Sequence, residues 1–166
     1  MSELIPIVNH DDEIIGYKPR IDITSDDIYR VSALWIENSK GEVLLAQRGF
    51  MKRNSPGKWG PAVAGTVDKD ESYEENIYKE AEEELGISGV EFTFVCKKYK
   101  AGPKFFYFCS WYECILDWDI SKFLIEYPQV EQVRWFSRRE LKNLLNNSPE
   151  ILSGVEFMKY KLGKNK

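Results

Sequence analysis

The sequence predicts an α/β fold in which a mixed β-sheet is covered by helices on both faces, an α/β/α sandwich. Three observations lead there. Short β-prone runs recur along the chain, separated by Gly, Pro, Asn and Asp turn chemistry. Among them lies a segment, residues 72–86, in which Ile77, Ala81 and Leu85 fall at fourfold spacing, the apolar stripe of a helix that packs on a sheet. After the last strand-like run, Ser137-Arg138-Arg139-Glu140 is a capping box that opens a further helix. Strands with helices between and after them imply a sheet with both faces covered.

In chain order, Leu4–Val8 reads as a strand, Asn9-His10-Asp11-Asp12 as a turn, and residues 13–17 as the returning hairpin partner. Residues 19–27 are a polar connector, so residues 1–28 form an N-terminal hairpin with its link. Residues 31–37 are apolar and β-prone. Asn38-Ser39-Lys40-Gly41 turns the chain into a strand over Val43–Arg48. Residues 49–60 are a loop punctuated by Pro56-Gly57, and 61–67 a short strand leading into the helix that Gly86 and Gly89 end. Residues 90–99 and 104–115 are aromatic-rich strands, 116–128 a connector, and Val130–Phe136 the last strand. Helices are expected over 137–145 and from Ser148-Pro149-Glu150 to about 160, within a C-terminal segment 148–166 whose last residues, 162–166, are basic and frayed.

With 166 residues the chain fits one domain, 1–166, with a single sizeable core. Hydrophobic residues at 43% and charged residues at 30% match an ordinary globular protein. A net charge of −4 argues against broad nucleic-acid binding, so a phosphorylated small molecule would have to be met by local cations and metal. The three cysteines (Cys96, Cys109 and Cys114) lack metal-ligand spacing; their odd number and apolar surroundings point to buried free thiols in a reducing compartment. No histidine lies near them in sequence to activate a thiol. The acidic start Met1-Ser2-Glu3 and the break at Pro6 give neither a signal peptide nor a membrane span, so a cytoplasmic location is expected.

The chemistry concentrates between Gly65 and Ile87. On a helix, Glu80, Glu83 and Glu84 stand at i, i+3 and i+4 and share a face. Carboxylates packed this closely repel one another, and a cation between them turns that cost into a binding site. An oxygen-only set suits magnesium, manganese or calcium, and the lone histidine, His10, is distant in sequence. Magnesium held by a few carboxylates takes further ligands from substrate phosphates, which fits phosphoanhydride hydrolysis. A plainly solvated glutamate face is the alternative.

Residues 65–87 resemble the Nudix box, G-x5-E-x7-R-E-U-x-E-E-x-G-U, where U is aliphatic. Gly65, Glu71, Glu80, Glu83, Glu84, Gly86 and Ile87 match it, and Ala81 takes the first U. Lys79 departs from it, standing where the family has arginine; it keeps the charge and loses the planar fork. The resemblance covers about 31–145 and implies the same sandwich, a loop–helix–loop motif that binds Mg2+ or Mn2+, and a small-molecule diphosphate as substrate. It implies that Glu83 and Glu84 are the core metal ligands, that Glu80 assists, and that Glu71 pairs with Lys79 to brace the loop. It also implies a frequent homodimer, for which the aromatic strands could supply an interface.

Outside the box, the resemblance puts Arg48 near the substrate, able to grip a phosphate; a surface salt bridge is the alternative. Lys52, Arg53 and Lys58 could meet a diphosphate, though solvated loop cations are the simpler expectation. Many Nudix hydrolases take an extra ligand or general base from a late loop or strand, which makes Glu131 the first candidate and Glu126 the second. Phe50, Trp59, Tyr107 and Trp111 could stack on a nucleobase or simply pack.

The N-terminal half looks like isopentenyl-diphosphate isomerase and its hydrolase-like relatives. The resemblance is carried by the hairpin before residue 20, Tyr29-Arg30-Val31-Ser32-Ala33-Leu34-Trp35-Ile36, Asn38-Ser39-Lys40-Gly41-Glu42-Val43-Leu44-Leu45, and Pro56-Gly57-Lys58-Trp59 followed by Ala64-Gly65-Thr66. The isomerase has a cysteine where Ala64 stands and histidines where Thr66 and Tyr29 stand. Without them its proton transfer and metal site cannot assemble. The expectation is therefore a metal-dependent hydrolase on an isomerase-like frame, with a non-catalytic Nudix binding module and an isomerase as competitors.

Overall fold

The computed structural model describes residues 3–163; Met1 and Ser2 of the acidic start and residues 164–166 of the basic tail lie outside the described residues. Nine strands join one mixed sheet: β1 Leu4–Val8, β2 Ile14–Pro19, β3 Ile28–Glu37, β4 Val43–Arg48, β5 Trp59–Pro61, β6 Val63–Thr66, β7 Thr93–Ala101, β8 Phe106–Ile115 and β9 Val130–Phe136. The helices are α1 Tyr73–Leu85, α2 Arg138–Asn147 and α3 Val155–Gly163.

β3 organises the sheet. It runs parallel to β8 from Ile28↔Phe106 to Glu37↔Ile115, while its other edge takes β6 antiparallel over Val31–Leu34 and touches β1 and β4 at its ends. β4 in turn pairs with β5 and β9. A central strand covered on both faces reads as a continuous apolar run, and Ala33, Leu34, Trp35 and Ile36 are all essentially inaccessible. Alternation then divides them. Leu34 and Ile36, with Leu44 and Ala46 of β4, face the core closed by Ile77, Ala81 and Leu85 of α1. Ala33 and Trp35, with Val43 and Leu45, face the core closed by Leu141 and Leu145 of α2 and Phe157, Met158 and Leu162 of α3.

α1 is fixed at both ends. Ser72 and Glu75 form a reciprocal capping box, and Gly86 closes the helix in the left-handed region at φ 67°. Three expectations are corrected. The strand read at 61–67 is two: β5 pairs with β4 and β6 with β3, the switch falling at buried Ala62. The third helix does not begin at Ser148. Pro149–Ile151 makes one 3-10 turn, and Leu152 is then drawn into a parallel bridge with Trp59, with the Ser153 N–H donating to the Trp59 carbonyl at 2.8 Å, so helix resumes only at Val155. Leu162, read as part of a frayed tail, is buried in the second core. No helix among the described residues is long and apolar enough to cross a membrane.

Because Leu85 is fully buried where α1 meets the sheet, Leu85→Ala should cost about 2–5 kcal/mol. Urea unfolding measures it, and a loss under about 1 kcal/mol would show that this contact matters little.

Candidate functional site

The strand β6 and the helix α1 approach so closely that residue 65 can carry no side chain. A Cβ on Gly65 would stand 2.2 Å from Glu80 Cδ and 2.4 Å from its Oε1, so glycine here leaves room for the Glu80 carboxylate. The loop between them is held by Lys79, whose ammonium lies 2.6 Å from Glu71 and 2.7 Å from Asp68. Burial alone would lower the Lys79 pKa, but the hydrogen bonds that the ammonium donates to both carboxylates raise it above the ordinary lysine value. A point charge with three donors suits two separate carboxylates, whereas a fork suits one. Asn76, fully buried, donates to the Thr66 carbonyl at 3.1 Å and to Glu71 at 3.2 Å and accepts from the Ser32 hydroxyl. It ties α1 to β3, β6 and the loop at once.

The three box glutamates are not equivalent. Glu84 is buried, Glu80 half-buried and Glu83 exposed. Burial pushes the Glu84 carboxyl up to about 7, with the Glu80 charge adding to the rise and Lys52, Arg48 and the Ala64 N–H opposing it. Burial also raises Glu80, Lys79 lowers it, and the Glu83 and Asp68 charges push it up further. None of the three has an ion-pair partner within 4.0 Å among the described residues.

Glu84 forms one wall of a cleft whose other walls include Arg48, Lys52, Ala64, Gln129 and Ser153. Arg48, at the end of β4, donates through Nε to the Asn54 carbonyl at 2.9 Å and makes no salt bridge among the described residues. Its burial lowers its pKa and the Glu84 charge raises it. Lys52 also lines the cleft, half-buried and within the field of Glu84, so the solvated-cation expectation fails for it; Arg53 is exposed. Sequence reasoning passed over Arg20, which follows β2 and whose charge reaches Arg48, Lys52 and Glu80. It also passed over Asp68 and Asn76. Asn76 had a signal, a polar residue beside Ile77 on the buried face of a helix.

Glu131 is brought to β9 as the extra residue of a bulge: Gln47 pairs with Gln132 and Arg48 with Val130, leaving Glu131 between them. Val130 lines the cleft and Glu131 does not. Glu126 has an exposed side chain, while its N–H donates to the Glu84 carbonyl at 3.0 Å. Trp59 packs edge-on against Phe136, and Trp111 is buried against Phe157. Phe50 is exposed beside Gly57. Burial pushes the Cys109 and Cys114 thiols up, Cys114 to about 12, so neither is a nucleophile near neutral pH.

Among the described residues, no three acidic, histidine or cysteine side chains converge as a ready-made metal cage. The donor chemistry nonetheless fits a hard divalent cation. Glu84 stands in the field of Glu80, neither is closed into an ion pair among the described residues, and magnesium needs only one or two carboxylates when waters and phosphates complete its shell.

Residues 28–154 match the NUDIX domain. The chain belongs to the Nudix family. It is 31% identical over 138 residues to the uncharacterized Nudix hydrolase SCO1686 of Streptomyces coelicolor, covering 81% of this chain and 72% of that one. Its fold is similar to DR0079 from Deinococcus radiodurans, with a TM-score of 0.80, 22% identity and coverage of 95% and 98%. It is also similar to the NUDIX domain of Shewanella oneidensis NrtR, solved with ADP ribose, with a TM-score of 0.61, 17% identity and coverage of 84% and 88%.

Two outcomes follow from this geometry. Gly65→Ala forces a methyl group into Glu80 and should destabilise the protein by about 1–3 kcal/mol, read as a lower urea midpoint; no change would mean that the helix can retreat freely. The second concerns Glu84, whose folded pKa is raised. Below about 4.5 the carboxyl is protonated in both states, and the stability that neutral Glu84 permits is lost as pH climbs through about 7. In EDTA, Glu84→Gln should match the native chain at pH 4 and exceed it at pH 8 by on the order of 3 kcal/mol. A pH-independent difference would contradict this.

Proposed function

We propose that this Nudix protein is a Mg2+- or Mn2+-dependent hydrolase that cleaves a diphosphate linkage in a nucleoside diphosphate derivative or another organic diphosphate. The observation that carries the reading is the pairing of opposites in one cleft. A buried, unpaired Glu84 carboxyl, coupled to Glu80, faces two half-buried cations, Arg48 and Lys52. Glu84, Glu80 and Glu83 are the residues that would hold the cation. When bound, it would neutralise phosphate charge and acidify a coordinated water. Arg48 grips the phosphate bidentately and Lys52 supplies a point charge, both strengthened by partial exclusion of water. Hydrolysis joins a water oxygen to phosphorus and breaks the bridging P–O bond, the second phosphate leaving as an anion, and the water proton would pass to a carboxylate of this chain. Glu80 from the box or Glu131 from outside it is the candidate proton acceptor. Gly65, Glu71 and Lys79 hold that constellation in place.

The isomerase-like frame belongs to this reading on the strength of the N-terminal sequence phrases alone. Tyr29, Ala64 and Thr66 offer neither thiol nor imidazole, so hydrolysis is proposed and isomerisation is not. A non-catalytic binding module is the competing reading; the exposure of Glu83 and the departure at Lys79 favour it, and the retained acidic set opposes it.

The test is phosphate release from nucleoside diphosphate sugars, dinucleoside polyphosphates, nucleoside triphosphates, coenzyme A and prenyl diphosphates, with Mg2+ and with Mn2+. Turnover that EDTA abolishes, and that Glu83→Gln and Glu84→Gln each lower by at least about a hundredfold without loss of folding, is the expected result. A silent panel, or full activity in both variants, would overturn the proposal.

A further inference from the structure

The N-terminal hairpin, β1 and β2 with the 3-10 turn Arg20–Asp22 after them, precedes the residues that match the NUDIX domain. It is held against the rest of the molecule at both ends. At the turn between its strands Asp12 is buried, and its carboxylate accepts from three elements at once. Arg30 of β3 donates through Nε at 2.7 Å, Tyr73 of α1 through its hydroxyl at 3.0 Å, and Lys97 of β7 through its ammonium. Breaking one partnership of a buried charge is costly, so this knot fixes the hairpin at its turn.

The open end of the hairpin lies on the Nudix box. The Leu4 carbonyl of β1 accepts from the Lys69 N–H at 2.8 Å, and the Lys69 ammonium stands 5.4 Å from the centroid of the Tyr17 ring of β2. Lys69 adjoins Asp68, one of the two carboxylates that Lys79 holds. Leu4 pairs with Pro19, so Arg20, the next residue, starts its turn beside that loop. The Arg20 N–H donates to the Glu3 carbonyl at 2.9 Å, which fixes its backbone. Its guanidinium pairs with the Glu3 carboxylate at 3.1 Å, with both side chains more than half exposed. Such a pair is worth little, and a more highly charged anion can displace it. From this position Arg20 acts electrostatically on Glu80, Arg48 and Lys52, and its repulsion of the two cations opposes their protonation. Three cations gathered against their mutual repulsion, two of them half-buried, are complementary to a polyanion.

We propose that Arg20 binds substrate: its guanidinium exchanges Glu3 for a phosphate of the bound diphosphate, so that the N-terminal hairpin supplies the third member of a cradle formed with Arg48 and Lys52. This rests on the reading of the cleft as a diphosphate site. The guanidinium fork matches two oxygens of one phosphate. The knot at Asp12 and the contact with Lys69 give the hairpin the fixed seat from which Arg20 reaches across the box.

The experiment is calorimetric titration of the full chain with methylenediphosphonate, whose P–C–P bridge resists hydrolysis, in Mg2+ at fixed ionic strength. Arg20→Gln should weaken binding by at least roughly tenfold, the weight of one charge-assisted contact. Arg20→Lys, which keeps the charge and loses the fork, should recover part of that loss. Arg139→Gln removes the same charge from an exposed position on α2 and should change affinity by less than about twofold. Thermal melting confirms that each variant is folded. Native affinity in Arg20→Gln, or an equal loss in Arg139→Gln, would overturn the inference; if Arg48→Gln still weakens binding, the diphosphate reading of the cleft stands without it. No measurable binding by the native chain would overturn both. The tenfold loss in Arg20→Gln beside a silent hydrolysis panel would support the cradle and overturn the hydrolase reading.

Discussion

The site depends on how closely α1 lies against β6. Glu80 occupies the volume that a side chain at residue 65 would fill, and the helix can stay there only because the intervening loop is tied down by one buried-edge ammonium. Lys79 holds Asp68 and Glu71 together, Asn76 links Glu71 to the Thr66 carbonyl, and Ser32 links Asn76 to the central strand. The apolar stripe of α1 supplies the adhesion; these polar ties set the rotation. That rotation decides which glutamate is buried, which is half-buried and which meets solvent.

A consequence is electrostatic. Sinking Glu84 beside Glu80 costs solvation that no ion pair among the described residues returns. Arg48 and Lys52 offset part of it from across the cleft, and both are themselves partly desolvated. A structure that keeps two carboxylates and two cations near one another without closing them into salt bridges holds its charges open for a ligand. On the proposed reading, a diphosphate with a divalent cation would complement both halves, anion against Arg48 and Lys52, cation against the glutamates.

Much of this was legible in the chain. Leu4–Val8, Val43–Arg48 and Val130–Phe136 have the bounds expected of them, because apolar runs there end in unambiguous turn residues. α1 was readable from its fourfold stripe and its closing glycine. The misreadings have a common cause, long-range pairing that local propensity does not encode. The run at 61–67 splits because two different strands compete for it, and the helix expected at Ser148 is delayed because Leu152 bridges to Trp59, far away in sequence. At the site, residue types and spacing pointed to the acidic face, but periodicity could not say that Glu83 is exposed while Glu84 is buried. Nor could it show that Lys52 lines the cleft, that the charge of Arg20, in the 3-10 turn after β2, reaches Arg48 and Lys52, or that Glu131 is the unpaired residue of a bulge.

The most direct test of the central claim, that Glu80 and Glu84 are poised to hold a divalent cation, is anomalous scattering from crystals of the protein soaked in manganese. The expected result is a manganese peak within ligand distance of the Glu84 carboxylate, on the side facing Arg48 and Lys52. Manganese bound elsewhere, or no peak at concentrations that support turnover, would contradict it.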